Sequence, residues 1–278
     1  MNTRTSAVLI ATVVLSATAV LVGAVARQQP VSGPAAASSV SGAAKVATSA
    51  RPLSFVANAG QLPAEVRFFA QSRGASMFFT NTEAVFTLVT HELENATSET
   101  STRRPGRGLA LAMRFVGAST DATLSGRKPG TGTWNHVVGP DRTKWRTNLP
   151  TWEELVYTAL WPGVDAVFRG RDGEIKYDFI VKPGTDPSAI ALRYDGARTL
   201  RLDASGNLVI ETELGALNDA APVSYQEING TRVPVASRYA LRRAGAAQHV
   251  GFEVGDYDRG KPLVIDPAMT WNTISKQH

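Results

Sequence analysis

Hydrophobic and polar residues alternate along much of this chain, and the pattern is clearest between residues 174 and 212. The run 175–182 reads IKYDFIVK. A period of two places alternate side chains on opposite faces of a β-strand, with Ile175, Tyr177 and Phe179 on one face and Lys176, Asp178 and Ile180 on the other. One apolar face and one largely polar face predict an antiparallel sheet with a solvated side.

Turn residues separate similar runs along most of the chain. Pro183-Gly184 ends the run above, residues 203–207 (DASGN) predict a tight hairpin loop, and Asn229-Gly230 is a strong hairpin signal. The hydrophobic pattern predicts further strands near residues 66–71, 76–80, 83–90, 109–115, 164–169, 190–195, 200–202, 208–210, 222–228, 231–235, 237–242, 250–254 and 262–265.

About fourteen short strands and few or no long helices predict an all-β protein, with antiparallel β-sandwich-like packing in two lobes. Three stretches are less regular. Residues 151–160 are compatible with a helix or a strand, residues 117–132 are rich in turn formers, and residues 91–108 predict a long polar loop.

The N-terminus predicts export. Residues 7–26 are apolar and uncharged, and they end in the A-x-A-like sequence Ala24-Val25-Ala26. We interpret residues 1–26 as a signal peptide cleaved after Ala26, with an uncleaved membrane anchor as the alternative. The expected localisation is extracellular or at the cell surface.

The remaining chain divides by composition. Residues 27–51 are rich in Ala, Ser, Gly and Pro and predict a disordered linker. An all-β exported domain is expected over residues 52–267, with lobes at about 52–140 and 141–267. Residues 268–278 are expected to be a C-terminal tail.

The composition limits the kinds of bond, metal site and partner that the chain can have. The 278 residues contain no Cys, which excludes disulfides and thiolate metal sites. The formal net charge is +5, but basic residues are scattered apart from the cluster Arg103, Arg104 and Arg107, which lies in an expected loop. We therefore expect no nucleic-acid partner.

No catalytic motif is present. A glycosidase needs two carboxyl groups facing each other across a cleft. The candidate carboxylates are also typical of solvated strand faces; they are Glu153, Glu154, Asp165, Glu174 and Asp178. The four histidines lack a zinc-binding spacing. We expect no enzyme activity, no cofactor and no metal site. Asp203–Asn207 resembles half of a calcium loop and Asp256-Tyr257-Asp258 is a second calcium candidate, but a plain hairpin and a charged turn are the favoured interpretations.

Tryptophans are concentrated in one region. Trp134, Trp145, Trp152 and Trp161 lie within 28 positions of one another. Aromatic faces can stack on sugars, so Trp134, Trp145 and Trp152 are candidate ligand-binding residues. The alternative is that the indoles fill a junction between sheets, with their N–H groups paired.

Several motifs together resemble a known bacterial domain. They are FVANAGQ at residues 55–61, KWRTNLP at 144–150, WPGVD at 161–165, YDFIV at 177–181, PVSYQ at 222–226 and LVIDP at 263–267. In this order they resemble the N-terminal domain of SBBP-repeat (β-propeller repeat) cell-surface proteins. The resemblance covers residues 52–267 and implies an all-β domain of unknown biochemical role. It brings no catalytic residues.

The chain departs from that family plan because no repeats follow residue 267. We therefore expect a stand-alone version or a truncated gene product. The sequence favours a non-catalytic exported or cell-surface β-module with a structural, adhesion or assembly role. Its expected partner is a cell-surface or extracellular protein or glycan. The alternatives are a carbohydrate-binding module and, least favoured, an extracellular glycoside hydrolase.

Overall fold

The computed structural model describes residues 53–72, 75–89, 108–171, 174–245 and 247–275. The expected signal peptide, the linker and most of the loop at residues 91–108 lie outside these ranges. Seventeen β-strands and two single-turn 3-10 segments make up the regular structure there. No helix among these residues is long or apolar enough to span a bilayer.

The strands of the first half are β1 Phe55–Ala57, β2 Phe68–Ser72, β3 Ala75–Phe79, β4 Glu83–Val89, β5 Gly108–Phe115, β6 Thr123–His136, β7 Arg146–Trp161 and β8 Val164–Arg171. Those of the second half are β9 Glu174–Val181, β10 Leu192–Asp195, β11 Thr199–Leu202, β12 Leu208–Thr212, β13 Gly215–Ile228, β14 Thr231–Val235, β15 Ser237–Ala244, β16 Ala247–Val254 and β17 Leu263–Ser275. The 3-10 turns cover Arg142–Lys144 and Pro187–Ala189.

All strands belong to one antiparallel sheet. On one side, β1 to β5 pair in order, and β10, β16 and β15 continue from β5. On the other side, β7, β8, β9, β17, β13, β12 and β11 pair in that order. β1 joins the two sides by pairing with β7, where Phe55 lies opposite Trp152.

The sheet curls into a nearly closed, barrel-like shape. β15 approaches β13, and the Ser237 hydroxyl donates to the Pro222 carbonyl oxygen at 3.1 Å. The all-β prediction is confirmed. The expected two-lobe sandwich is not shown, because β1–β7 and β10–β5 pairing continues the sheet across the expected lobe boundary.

A large hydrophobic core fills the inside of the sheet. It draws on both halves of the chain, and its rings meet edge to face, as in Phe79–Phe168 and Phe115–Tyr157. A second, smaller cluster lies on the other side of β2–β5 and includes Phe69. One face of β3 therefore packs in the large core and the other in the smaller cluster, which explains why β3 is buried at every position.

The structure settles two of the three less regular stretches. Residues 151–160 lie inside strand β7. Residues 123–132, expected to be turns, belong to β6, which is hydrogen-bonded along β7. The expected tail at 268–278 is also partly wrong, because β17 continues to Ser275 by pairing with β13.

The hairpin predictions are confirmed. Residues 203–207 join β11 to β12, and Asn229-Gly230 joins β13 to β14. Asn229 and Gly230 have φ of 51° and 77°, which is the left-handed pair that a type I′ turn requires.

Candidate functional site

Two of the three candidate tryptophans pack against the protein interior. Trp134 meets Phe69 edge to face, with ring centroids 5.7 Å apart, in the smaller cluster. Trp152 packs against the main core. It covers Gly126, where an added Cβ would lie 2.4 Å from the indole.

Trp145 belongs to neither cluster among the described residues. It follows the first 3-10 turn, is half-buried, and donates its indole N–H to the Gly139 carbonyl oxygen at 3.1 Å. The guanidinium of Arg142 lies 5.3 Å from the ring centroid. The three tryptophans therefore pack in three different settings.

Glu154 is the centre of an ion cluster on the outer face of the sheet. Its carboxylate accepts hydrogen bonds from Arg127 Nε at 2.6 Å, Lys128 Nζ at 2.8 Å and Arg169 Nε at 3.0 Å. Burial opposes ionisation of this carboxyl, but the three cationic donors outweigh burial and lower its pKa to about 2. Glu154 therefore stays ionised and holds three cations in place.

Two of the other candidate carboxylates, Asp165 and Asp178, are also engaged. Asp178 forms an ion pair with Arg169, so Arg169 links it to Glu154. Asp165 accepts from the Ala159 amide at 2.7 Å and pairs with Lys182 at 3.0 Å. These contacts stabilise strand pairing on the outer face, so Glu154, Asp165 and Asp178 are not free carboxyls of the kind that a glycosidase cleft needs.

The loop at Asp203–Asn207 uses its carboxylate internally. Asp203 Oδ1 accepts from the amides of Ser205 and Asn207, and Oδ2 accepts from the Asn207 side chain. Within the described ranges, no three His, Asp or Glu side chains are grouped as a metal site would need. The calcium hypothesis therefore gains no geometric support at Asp203.

A buried carboxyl in the main core was missed by sequence reasoning. Asp219 lies on β13 with no exposed surface, and the Tyr177 hydroxyl donates to its Oδ2 at 2.6 Å. Burial raises the pKa of Asp219 to about 7, against the hydroxyls of Tyr177 and Tyr239, which lower it. Tyr177 appeared in the sequence only as an apolar-face residue, and nothing nearby in sequence indicates its partner 42 positions later.

An open cleft of about 440 Å³ lies beside the second 3-10 turn. Its lining carries both signs of charge: Asp186 and Asp256 are acidic, and Arg242 and Arg259 are basic. Tyr257 also lines the cleft. The Arg259 guanidinium lies 5.7 Å from the Tyr257 ring centroid. This mixture favours no single class of ligand.

The outer face of β14, β13, β17 and β9 carries an apolar strip. Strand register aligns four residues across the four strands, which we call the apolar row: Pro234, Tyr225, Val264 and Ile180. Val223 lies two positions before Tyr225 on the same face and is 63% exposed. The Arg232 guanidinium lies 4.4 Å from the Tyr225 ring centroid and fixes that side chain on the surface.

The FVANAGQ motif at residues 55–61 shapes the loop after β1. Asn58 Nδ2 lies 2.8–3.0 Å from the carbonyl oxygens of Leu62, Pro63 and Val66, and Asn58 Oδ1 accepts from the amides of Gly60 and Leu62. This motif is therefore structural, since its polar atoms satisfy the local backbone.

A family model described as a domain of unknown function, DUF7948, matches residues 55–268. No curated protein and no solved structure matches the chain.

Proposed function

The chain belongs to the DUF7948 family, and we propose that it is a non-catalytic exported or cell-surface β-module that contacts a partner protein in an adhesion or assembly role. The expected signal sequence and the resemblance to the N-terminal domain of SBBP-repeat proteins motivate the exported, bacterial cell-surface setting. The proposed contact surface is the apolar row together with Val223.

Exposure of Val223 is the observation that carries this proposal. A large aliphatic side chain that is 63% exposed beside a continuous apolar row is a feature that favours a binding surface. Charged residues border the apolar row. Strand register places Arg232 of β14 directly opposite Glu227 of β13, and Asp266 of β17 directly opposite Val223. An apolar centre with a polar rim is the usual composition of a protein interface.

The edge of β14, which borders this surface, is a poor alternative. β14 pairs only with β13 among the described residues and contains Pro234, which has no backbone N–H to donate. We therefore place the contact on the sheet face and not on an added strand.

The two alternatives have less support. A carbohydrate platform of Trp134, Trp145 and Trp152 would need their ring faces free, yet Trp134 and Trp152 pack against hydrophobic clusters. A hydrolase would need two available carboxyls, yet Glu154 and Asp178 are held by Arg169.

Site-specific photocrosslinking tests the proposal. A photoreactive side chain at Val223 in the full chain, expressed in its source cells, should give one discrete protein adduct, to be identified by mass spectrometry. The same group at Ser205, an exposed position in the β11–β12 turn, is the control. Adducts of equal yield at both positions would overturn the proposed surface, as would hydrolysis of a sugar or peptide substrate that Asp178→Asn abolishes.

A further inference from the structure

We propose a second binding site, for an acidic glycan, on the outer face of β6, β8 and β9. It consists of four side chains that we call the cation row: Arg127, Lys128, Arg169 and Lys176. The ligand class is a glycan bearing carboxylate or sulfate groups. This site lies apart from the apolar row and does not depend on its role.

Strand register creates the cation row. Arg127 lies opposite Glu154, Glu154 opposite Arg169, and Arg169 opposite Lys176. Register therefore places Arg127, Glu154, Arg169 and Lys176 on one face across β6, β7, β8 and β9. With neighbouring strands about 4.8 Å apart, the row extends about 14 Å, which suits an extended polyanion better than a single small anion.

The carboxylates beneath the row hold Arg127, Lys128 and Arg169 in position without cancelling the positive charge of the row. Four cations stand against the two carboxylates Glu154 and Asp178, so two positive charges remain. The carboxylate side chains are 4% and 12% exposed, whereas Lys128 is 62% and Arg127 48% exposed. A ligand thus meets the cations first, and the three side chains already held by a carboxylate, Arg127, Lys128 and Arg169, lose little further freedom on binding.

An unusual backbone conformation brings two of the cations together. Adjacent residues of a regular strand point to opposite faces. Lys128, however, has a φ of 57°, and both Arg127 and Lys128 reach the Glu154 carboxylate. A non-glycine residue in this left-handed region is uncommon and costs conformational energy, which the contact with Glu154 offsets.

The surroundings of the row favour a glycan over other polyanions. Protein partners need apolar anchors, and the large exposed hydrophobic residues of the described chain lie elsewhere: Val137, Leu202, Val223 and Val233. Single-stranded nucleic acid needs aromatic platforms. The cation row contains no aromatic residue, and the chain is expected to be exported.

Binding of defined polyanions tests the site. The probes are heparin and a polyuronate, with neutral dextran, duplex DNA and poly-glutamate as comparisons. Calorimetry on the purified chain should show binding to heparin or polyuronate and none to dextran. Raising the NaCl concentration from about 50 to about 150 mM should weaken binding, because salt screens exposed charges.

The matched variants are K128Q/K176Q and K144Q/K261Q, which remove the same net charge. K128Q/K176Q should weaken glycan binding by at least about tenfold, equivalent to 1.4 kcal/mol. Its melting temperature should stay near the parent value, since Arg127 and Arg169 still bind Glu154. K144Q/K261Q should bind like the parent.

Three results would overturn the proposal. Equal losses in the two double variants would show that only net charge matters. Absence of binding to both acidic glycans would remove the ligand class. Tighter binding of DNA or poly-glutamate than of either glycan would assign the row to a different polyanion.

Discussion

The side chain of Arg146 donates a hydrogen bond from Nε to the carbonyl oxygen of Ala59 at 2.9 Å, across 87 positions of sequence. Arg146 comes from the KWRTNLP motif and Ala59 from the FVANAGQ motif. Two motifs that are far apart in the chain therefore meet at the start of β7. Their joint presence in the sequence reflects one structural junction that fixes the loop after β1.

Asn58 should be the most sensitive residue of that loop. Asn58→Ala removes the side-chain bonds to the carbonyl oxygens of Leu62, Pro63 and Val66 and to two amides. Because partly buried backbone groups then lose their partners, we expect a loss of about 2–3 kcal/mol in the free energy of unfolding. Urea denaturation measures it. Glu65→Ala, at an exposed position of the same loop, should change stability little, and an equally small effect of Asn58→Ala would contradict this role.

Asp219 should make stability depend on pH. Its pKa is raised from 3.8 to about 7 in the folded protein, so the folded state holds the proton more tightly than the unfolded chain does. The resulting stability is fully present below about pH 4 and is lost as the pH rises to about 7. The difference corresponds to about 4 kcal/mol.

The comparison with Asp219→Asn isolates this contribution. The variant cannot ionise at position 219, so its unfolding free energy should fall less than that of the parent between pH 4 and pH 7. Burial also raises the pKa of Glu83, so Glu83 gives a pH dependence of the same sign. This contribution is common to both proteins and does not affect the comparison. Exposed Asp121→Asn should follow the parent curve. Parallel curves for the parent and Asp219→Asn would show that Asp219 ionises freely in the fold.

Local sequence signals predicted much of the strand pattern. Alternation placed Tyr177 on an inward face, and Asn229-Gly230 predicted a hairpin because few other dipeptides accept two left-handed residues. β6 was missed because Gly126, Pro129 and Gly130 are turn formers. Its strand conformation comes from pairing with β7, which is a tertiary effect that local propensity does not contain.

The surface sites depend on long-range register, which the sequence alone does not give. Asp178 was visible as a strand-face carboxylate, but its partner Arg169 lies on the preceding strand. Lys128 gave no signal of its left-handed backbone, because that conformation is more often found in glycine or asparagine. The contacts between neighbouring strands therefore had to be seen in the structure.

Pro234 should protect from self-association the edge of β14, which is unpaired among the described residues. Pro234→Val restores a backbone N–H and adds a β-branched side chain, so the edge can accept another strand. We expect a larger oligomeric fraction in size-exclusion chromatography with light scattering. Thr231→Val adds the same side chain in the same strand without adding an N–H, and it should stay like the parent. Equal association of both variants would attribute the effect to hydrophobicity.

Gly126 should be required because Trp152 covers it. A Cβ at Gly126 would lie 2.4 Å from the indole, whereas nothing lies within 4 Å of a Cβ at Gly132 on the same strand. Gly126→Ala should therefore destabilise the protein by about 1–3 kcal/mol through overpacking, and Gly132→Ala should be nearly neutral. Chemical denaturation of both variants measures the difference.

A double-mutant cycle tests whether the indole causes that cost. Trp152→Leu removes the ring from above Gly126, so adding Gly126→Ala in that background should cost at least about 1 kcal/mol less than in the parent. Such coupling would identify Trp152 as a packing residue whose ring face is occupied by the neighbouring strand. An unchanged cost in the Trp152→Leu background would contradict this packing role and return the indole to the candidates for ligand stacking.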